Sequence, residues 1–180
     1  MNPELLERAA RVRLLLMDVD GVLTDGRFFV VPGPDGTLVE TKEFDSQDGI
    51  ALRWVLWYGM QTGVISGRIS PATEARARQL DMTHIYMGHH EKIPIIDEIL
   101  SKSGIPPAEI AYMGDDLTDI VVMRRVGLAI APANARPEVK LAAHHVTAAA
   151  GGAGAVREAI EMLLRAQGHW TDVLKKYEAE

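Results

Sequence analysis

The chain has 180 residues, 47% of them hydrophobic and 24% charged, a composition suited to one domain with an ordinary buried core. A formal charge of -6 without any run of Lys or Arg excludes a phosphate-backbone binder, so no nucleic-acid partner is expected. The absence of cysteine excludes disulfides and thiolate metal sites, and no apolar run approaches membrane-spanning length.

Met1 to Arg13 mixes Glu4, Glu7, Arg8, Arg11 and Arg13 among apolar residues, so it lacks the apolar centre of a signal peptide. A cytoplasmic protein is expected, with no membrane partner. Leu14 to Val19 begins a series of short apolar runs that read as buried parallel strands. The others are Gln61 to Ser66, His84 to Met87, Ile110 to Gly114, Val126 to Ala131 and His145 to Thr147. Arg27 to Phe44 breaks the rhythm, because Pro32-Gly33-Pro34-Asp35-Gly36 separates two roughly alternating stretches; this predicts a β-hairpin that forms a flap beside whatever precedes it. Helical spacing follows over Pro71 to Leu80, Ile93 to Ser103, Leu117 to Arg125 and Ala155 to Gln167. Trp54, Trp57 and Tyr58 share a helical face with Ile50 and are expected in the core, and Ala148 to Gly154 reads as a flexible Ala/Gly stretch. Strand and helix alternate. The prediction is therefore α/β: a doubly wound, Rossmann-like, mostly parallel sheet in a single domain spanning residues 1–180.

Polar residues mark the strand ends. Asp18 and Asp20 follow the first strand, Ser66 closes the second, Lys92 lies beyond the third, and Asp115, Asp116 and Asp119 follow the fourth. In a parallel sheet these ends converge on one edge, where ligands bind. Paired acids, a hydroxyl, an ammonium and a second acidic cluster suit a phosphate and a hard divalent ion, Mg²⁺, with Asp18, Asp20 and Asp115 as candidate ligands. A carboxylate that attacks phosphorus splits a very slow hydrolysis into two easier steps. Asp18 is the expected nucleophile. Asp20, two residues on along an extended chain, returns to the same side and is the expected general acid and then base. Ser66 would donate a hydrogen bond to a nonbridging oxygen while Lys92 offsets charge on the transferring group, and Asp119, one turn beyond Asp115, would orient Lys92.

Other chemistries fail on spacing. Counting from Asp18, Val22, Leu23 and Phe29 fall where an EF-hand needs an oxygen ligand, Gly and Glu. Gly152 cannot open a dinucleotide fingerprint, because Arg157 stands where its last glycine belongs. The adjacent pairs His89-His90 and His144-His145 point apart on extended chain and do not suit zinc.

Asp18-Val19-Asp20-Gly-Val-Leu-Thr-Asp-Gly, Ile65-Ser66-Gly67-Arg68, Lys92 and Gly114-Asp115-Asp116-Leu-Thr-Asp119 resemble the motifs of the haloacid dehalogenase superfamily of phosphatases. Phe44 to Arg53, Tyr86-Met87-Gly88, Val126-Gly127-Leu128 and Gly151-Gly152-Ala153-Gly154-Ala155-Val156-Arg157-Glu158 with Ala166-Gln167-Gly168 further resemble its branch of 3-deoxy-D-manno-octulosonate 8-phosphate phosphatases. The gaps from Asp18 to Ser66 and from Ser66 to Lys92 leave no room for a cap domain, which agrees with that branch. The resemblance implies a Mg²⁺-dependent phosphatase of a small sugar-acid phosphate, working through an aspartyl phosphate. It also implies a homotetramer, in which a neighbour's flap and Gly-rich tail, with Arg157 nearby, close the open site. Carried over residue by residue, substrate contacts fall on Asp20, Asp48, Gly49, Arg53, Ser66, Gly67, Arg68, Arg76 and Lys92. One position departs from the pattern: Gln47 stands where the family carries a basic residue. Other readings are a phosphatase of a nonulosonate or another small phosphometabolite, a receiver-type signalling domain that keeps its phosphoryl group, and a noncatalytic assembly subunit. Asp20 argues against the receiver, because an acid/base beside the acceptor favours turnover.

Overall fold

The structure is a computed structural model that describes residues 2–179. Six strands, β1 (Leu14–Met17), β4 (Gln61–Ser66), β5 (His84–Met87), β6 (Ile110–Met113), β7 (Leu128–Ala131) and β8 (His145–Val146), form one parallel sheet in the order β5-β4-β1-β6-β7-β8. The chain winds outward from β1 in one direction through β4 and β5, then returns and winds the other way through β6, β7 and β8. The order therefore reverses beside β1, and the crevice at the carboxyl end of β1 is where such a sheet takes a ligand.

Strand pattern follows from burial on both faces. In β1, Leu15 and Met17 face one core and Leu14 and Leu16 the other, so all four are apolar and buried. The first core is roofed by α1 (Pro3–Ala10), α2 (Ser46–Leu56), α3 (Pro71–Gln79), α7 (Ala155–Ala166) and α8 (Trp170–Lys176); the second by α4 (Ile93–Ser103), α5 (Ile120–Met123) and α6 (Pro137–Ala142). Helix starts are set by local chemistry. Asp45 caps α2 through the N–H groups of Gln47 and Asp48 at 2.6 and 3.1 Å, while Ser70 caps α3 just before Pro71. Gly104, at φ 65°, ends α4.

The expected hairpin is present: β2 (Phe29–Pro32) pairs antiparallel with β3 (Leu38–Thr41), closed by Gly33 N–H to Thr37 C=O at 2.6 Å. Hairpin and α2 fill the interval between β1 and β4, and α3 alone lies between β4 and β5, so these intervals hold no cap domain. Two expectations change. Trp54 is buried, but Ile50 and Trp57 are exposed, because α2 packs through Ala51, Leu52, Trp54 and Val55 instead. The Ala148 to Gly154 stretch is tied down rather than loose: Gly152 N–H donates to Val22 C=O at 3.0 Å, and a Cβ on Gly151 would lie 1.9 Å from the carbonyl oxygen of Gly21. Small residues are needed there for backbone to pack on backbone.

Candidate active site

β1 hands its ladder on to Asp18, whose N–H donates to Met113 C=O at 2.9 Å. The chain then turns tightly, with the N–H groups of Val22, Leu23 and Thr24 all directed at Val19 C=O. Gly21 sits at φ 92°, and a Cβ there would lie 2.1 Å from Asp115 Oδ2, so the loop after β1 accepts only glycine if Asp115 is to lean over it. Asn134 fastens the arrangement: its Nδ2 donates to Gly21 C=O at 2.9 Å and its Oδ1 accepts Gly151 N–H at 2.7 Å.

Lys92 occupies the N-cap position of α4 without capping it, because its side chain runs inward to the acids. Its Nζ donates to Asp18 Oδ1 at 2.8 Å, to Asp119 Oδ1 at 2.7 Å and to the Tyr112 hydroxyl at 3.0 Å. Asp119 is saturated: Oδ1 also accepts the Tyr112 hydroxyl at 2.7 Å, and Oδ2 accepts the N–H groups of Asp115 and Asp116 at 2.9 and 3.1 Å. It therefore acts as the buried hub that orients Lys92 and shapes the loop after β6. Asp18, Asp115 and Asp119 bring one oxygen each within 4.8 Å of one another. The carboxylate of Asp20 is not in that group. It is held at the hairpin side, where Oδ1 accepts Lys42 Nζ at 2.6 Å and Oδ2 lies 3.8 Å from Arg68 Nε. Asp18, Asp20, Ser66, Gly67, Arg68, Lys92 and Asp115 line one cavity of about 200 Å³, together with His90, Asp116 and Thr118.

Charge in this cavity is unbalanced. Burial pushes Asp18 up to about 6 against the pull of Lys92, and burial with the nearby charges of Asp18 and Asp119 pushes Asp115 up to about 7. Lys92 is raised instead, since Asp18 and Asp119 outweigh its own desolvation. Among the described residues, Asp115 Oδ1 has no hydrogen-bond partner although it is buried. An orphaned carboxylate oxygen beside a second carboxylate offers the hard oxygen ligands that suit a divalent cation held by Asp18 and Asp115.

The remaining substrate candidates lie elsewhere. Gly49, Arg53 and Arg76 line a groove over α2 and α3 with Ser46, Ile50, Gln79 and Leu80. Arg53 pairs with Asp81, Arg76 donates to Gln79 Oε1 at 2.8 Å, and a Cβ on Gly49 would meet Arg76. Asp48 is buried and turned toward α7, where its Oδ1 accepts the N–H of Arg157 at 2.7 Å. None of these four lines the cavity at Asp18 in a single chain. Gln47 sits in the first turn of α2. Lys42, Tyr112 and Asn134 are the polar partners that spacing did not reveal. A tyrosine inside an apolar strand, and a lysine in an alternating hairpin, carry no local signal of a contact distant in sequence.

Comparison with known proteins agrees with the geometry. The haloacid dehalogenase-like hydrolase family matches residues 65–160. The 3-deoxy-D-manno-octulosonate 8-phosphate phosphatase KdsC of Salmonella typhimurium is 40% identical over 168 residues, covering 93% of this chain and 87% of that protein. A probable YrbI family phosphatase from Pseudomonas syringae pv. phaseolica superposes with a TM-score of 0.92 at 39% identity, covering 98% of both chains. The 3-deoxy-D-manno-octulosonate 8-phosphate phosphatase of Moraxella catarrhalis, solved with a magnesium ion, a phosphate ion and a KDO molecule, superposes with a TM-score of 0.91 at 33% identity, covering 98% of this chain and 99% of that one. The chain belongs to the haloacid dehalogenase-like hydrolase family.

Proposed function

We propose that the protein hydrolyses the phosphate monoester of a small sugar acid, 3-deoxy-D-manno-octulosonate 8-phosphate, with Asp18 as nucleophile. The observation that carries this reading is the meeting of Asp18, Asp115 and Lys92 around one small cavity at the switch point of the sheet. Asp18 and Asp115 would hold Mg²⁺, which when bound supplies the positive charge that lets a carboxylate approach a phosphate dianion.

This chain's own groups do the rest. An Asp18 oxygen bonds to phosphorus as the bond from phosphorus to the leaving oxygen breaks, and Asp20 gives that oxygen its proton. Water then attacks the aspartyl phosphate, returning a proton to Asp20 and releasing Asp18. Lys92 and the Ser66 hydroxyl offset charge on the transferring oxygens, and the backbone at Gly67 with Arg68 borders the same cavity. Membership of a hydrolase family, together with Asp20 at the cavity, leaves the receiver-type and noncatalytic readings without support.

The cavity at Asp18 is small and open, whereas a sugar acid also carries a carboxylate that calls for cations. The hairpin is apolar and exposed at Phe28, Phe29, Val30 and Leu38, a liability unless another surface covers it. Both observations support a covering partner; we propose that it is a second copy, in a homotetramer of single-domain chains in the cytoplasm, and that a neighbour covers the site and brings Asp48, Gly49, Arg53, Arg76 and Arg157 within reach of substrate. Among the described residues no helix is long and apolar enough to cross a membrane. A phosphate-release screen over phosphorylated sugar acids with Mg²⁺ tests the reading; turnover of 3-deoxy-D-manno-octulosonate 8-phosphate well above the nonulosonate phosphates is expected, and indifference among them would overturn the substrate.

A further inference from the structure

Lys42 stands one residue past β3, at the foot of the hairpin, and its side chain is fully buried although the ribbon beyond it is exposed. A dry ammonium is costly unless it is paired with good geometry. Its partner is Asp20, at 2.6 Å, in a short charge-assisted hydrogen bond to Oδ1 alone. Behind it, Glu40 of β3 brings Oε1 within 3.7 Å of Lys42 Nζ, and its Oε2 accepts Arg68 Nη2 at 2.6 Å. Phe28, from the start of the hairpin, lies under the Arg68 guanidinium, 4.1 Å from ring centroid to Cζ. The hairpin thus carries a lysine that grips one oxygen of Asp20 and an acid that steadies the arginine near the other.

We propose that Lys42 is a positioning residue for proton transfer at the leaving group: it fixes the Asp20 carboxyl so that Oδ2, on the Arg68 side, is the oxygen that gives and later recovers the proton. This rests on the reading of Asp20 as general acid and base. Without the grip on Oδ1, the carboxyl turns freely about its own bond and the transfer loses its geometry, because such catalysis needs the donor within hydrogen-bond reach of the leaving oxygen. It also ties the chemistry to the hairpin, since displacing the hairpin removes Lys42 from Asp20.

The test uses leaving groups that differ in their need for a proton. Phenyl phosphate and 3-deoxy-D-manno-octulosonate 8-phosphate release basic oxygens, whereas p-nitrophenyl phosphate releases a stable anion. Lys42→Met is expected to lower kcat for the first two by about 10- to 100-fold, a fraction of the roughly 10²- to 10⁴-fold that general acid catalysis supplies, with p-nitrophenyl phosphate changed by less than about threefold. KM should stay near wild type, and Lys42→Arg should restore much of the loss. Lys42 belongs to neither apolar core, so the variant is expected to fold, and its thermal midpoint verifies that. Equal losses on phenyl and p-nitrophenyl phosphate, or no loss on either, would overturn the inference while leaving the phosphatase reading intact. A wild-type protein inert toward all three esters would overturn the phosphatase reading itself, and this inference with it.

Discussion

The acidic edge of the sheet and the groove over α2 and α3 are both built from charged side chains, yet they are finished to different degrees. At the edge, Lys92, Tyr112 and Asp119 bond one another in the interior and aim at Asp18, so the proposed nucleophile is held by a network within one chain. In the groove, Arg53 is exposed and Arg76 half-buried, and they rest on Asp81 and Gln79, partners that an incoming anion can displace. On the proposed function the difference separates two tasks. Phosphoryl transfer needs preorganised charge that does not reorganise during the reaction, whereas recognition of a second anionic group can be completed by assembly.

The sharpest way to break that division is at the edge. Asp18→Asn keeps shape and removes the proposed nucleophile, so kcat is expected to fall by at least about 10³-fold, in line with losses seen when a nucleophile is removed. Folding should survive, because burial already disfavours the charge at this position; steady-state phosphate release and a melting curve read both. Gly21→Ala probes the packing that lets Asp115 lean over the loop. A side chain at φ 92° with its Cβ 2.1 Å from Asp115 Oδ2 is expected to cost about 1–3 kcal/mol by denaturant unfolding, and most of the activity with it.

A substitution in the groove should look different. Arg76→Ala is expected to raise KM for the sugar-acid phosphate about tenfold, one lost charge-assisted contact, while kcat for p-nitrophenyl phosphate stays unchanged. Equal effects on both substrates would merge the two regions that the account keeps apart. The smallest effect concerns Asp48, beneath the groove, which burial pushes from 3.8 up to about 6 against the bond from Arg157 N–H. An acid raised in the folded state binds more protons there than in the unfolded chain, so its contribution to stability is full at low pH and is lost as pH rises from about 4 to 6. Asp48→Asn should flatten the stability profile in that window, which unfolding at a series of pH values would reveal; an unchanged slope would contradict the assignment.

Much of this was legible in the residue order, and the reasons differ by region. β1, β6 and β7 are buried at every position and β4 at all but its first, so their apolar runs announced themselves; β5 and β8 are only partly buried. Ends are displaced by a residue or two, as at Val126, where β7 starts only at Leu128. The acids after β1 and β6 are contiguous motifs whose spacing is fixed by local backbone. Helices α1, α6 and α8 went unread because they are short and rich in charged residues, and they gain their stability from tertiary contacts such as Trp54 against Trp170 and Tyr177. The Ala/Gly stretch misled for a physical reason: small residues serve flexibility in a linker and close approach in a packed turn, and only the Gly21 backbone opposite decides between them. Lys42 reaches Asp20 across twenty-two positions through the fold of a hairpin, a contact that no spacing rule anticipates.

The central claim is that Asp18 itself accepts the phosphoryl group. Enzyme quenched during turnover and treated with borohydride converts an acyl phosphate on aspartate to homoserine, which peptide mass mapping can locate. Homoserine at position 18, dependent on substrate and on Mg²⁺, is the predicted result. Its absence there, or its appearance at position 20 or 115 instead, would contradict the account.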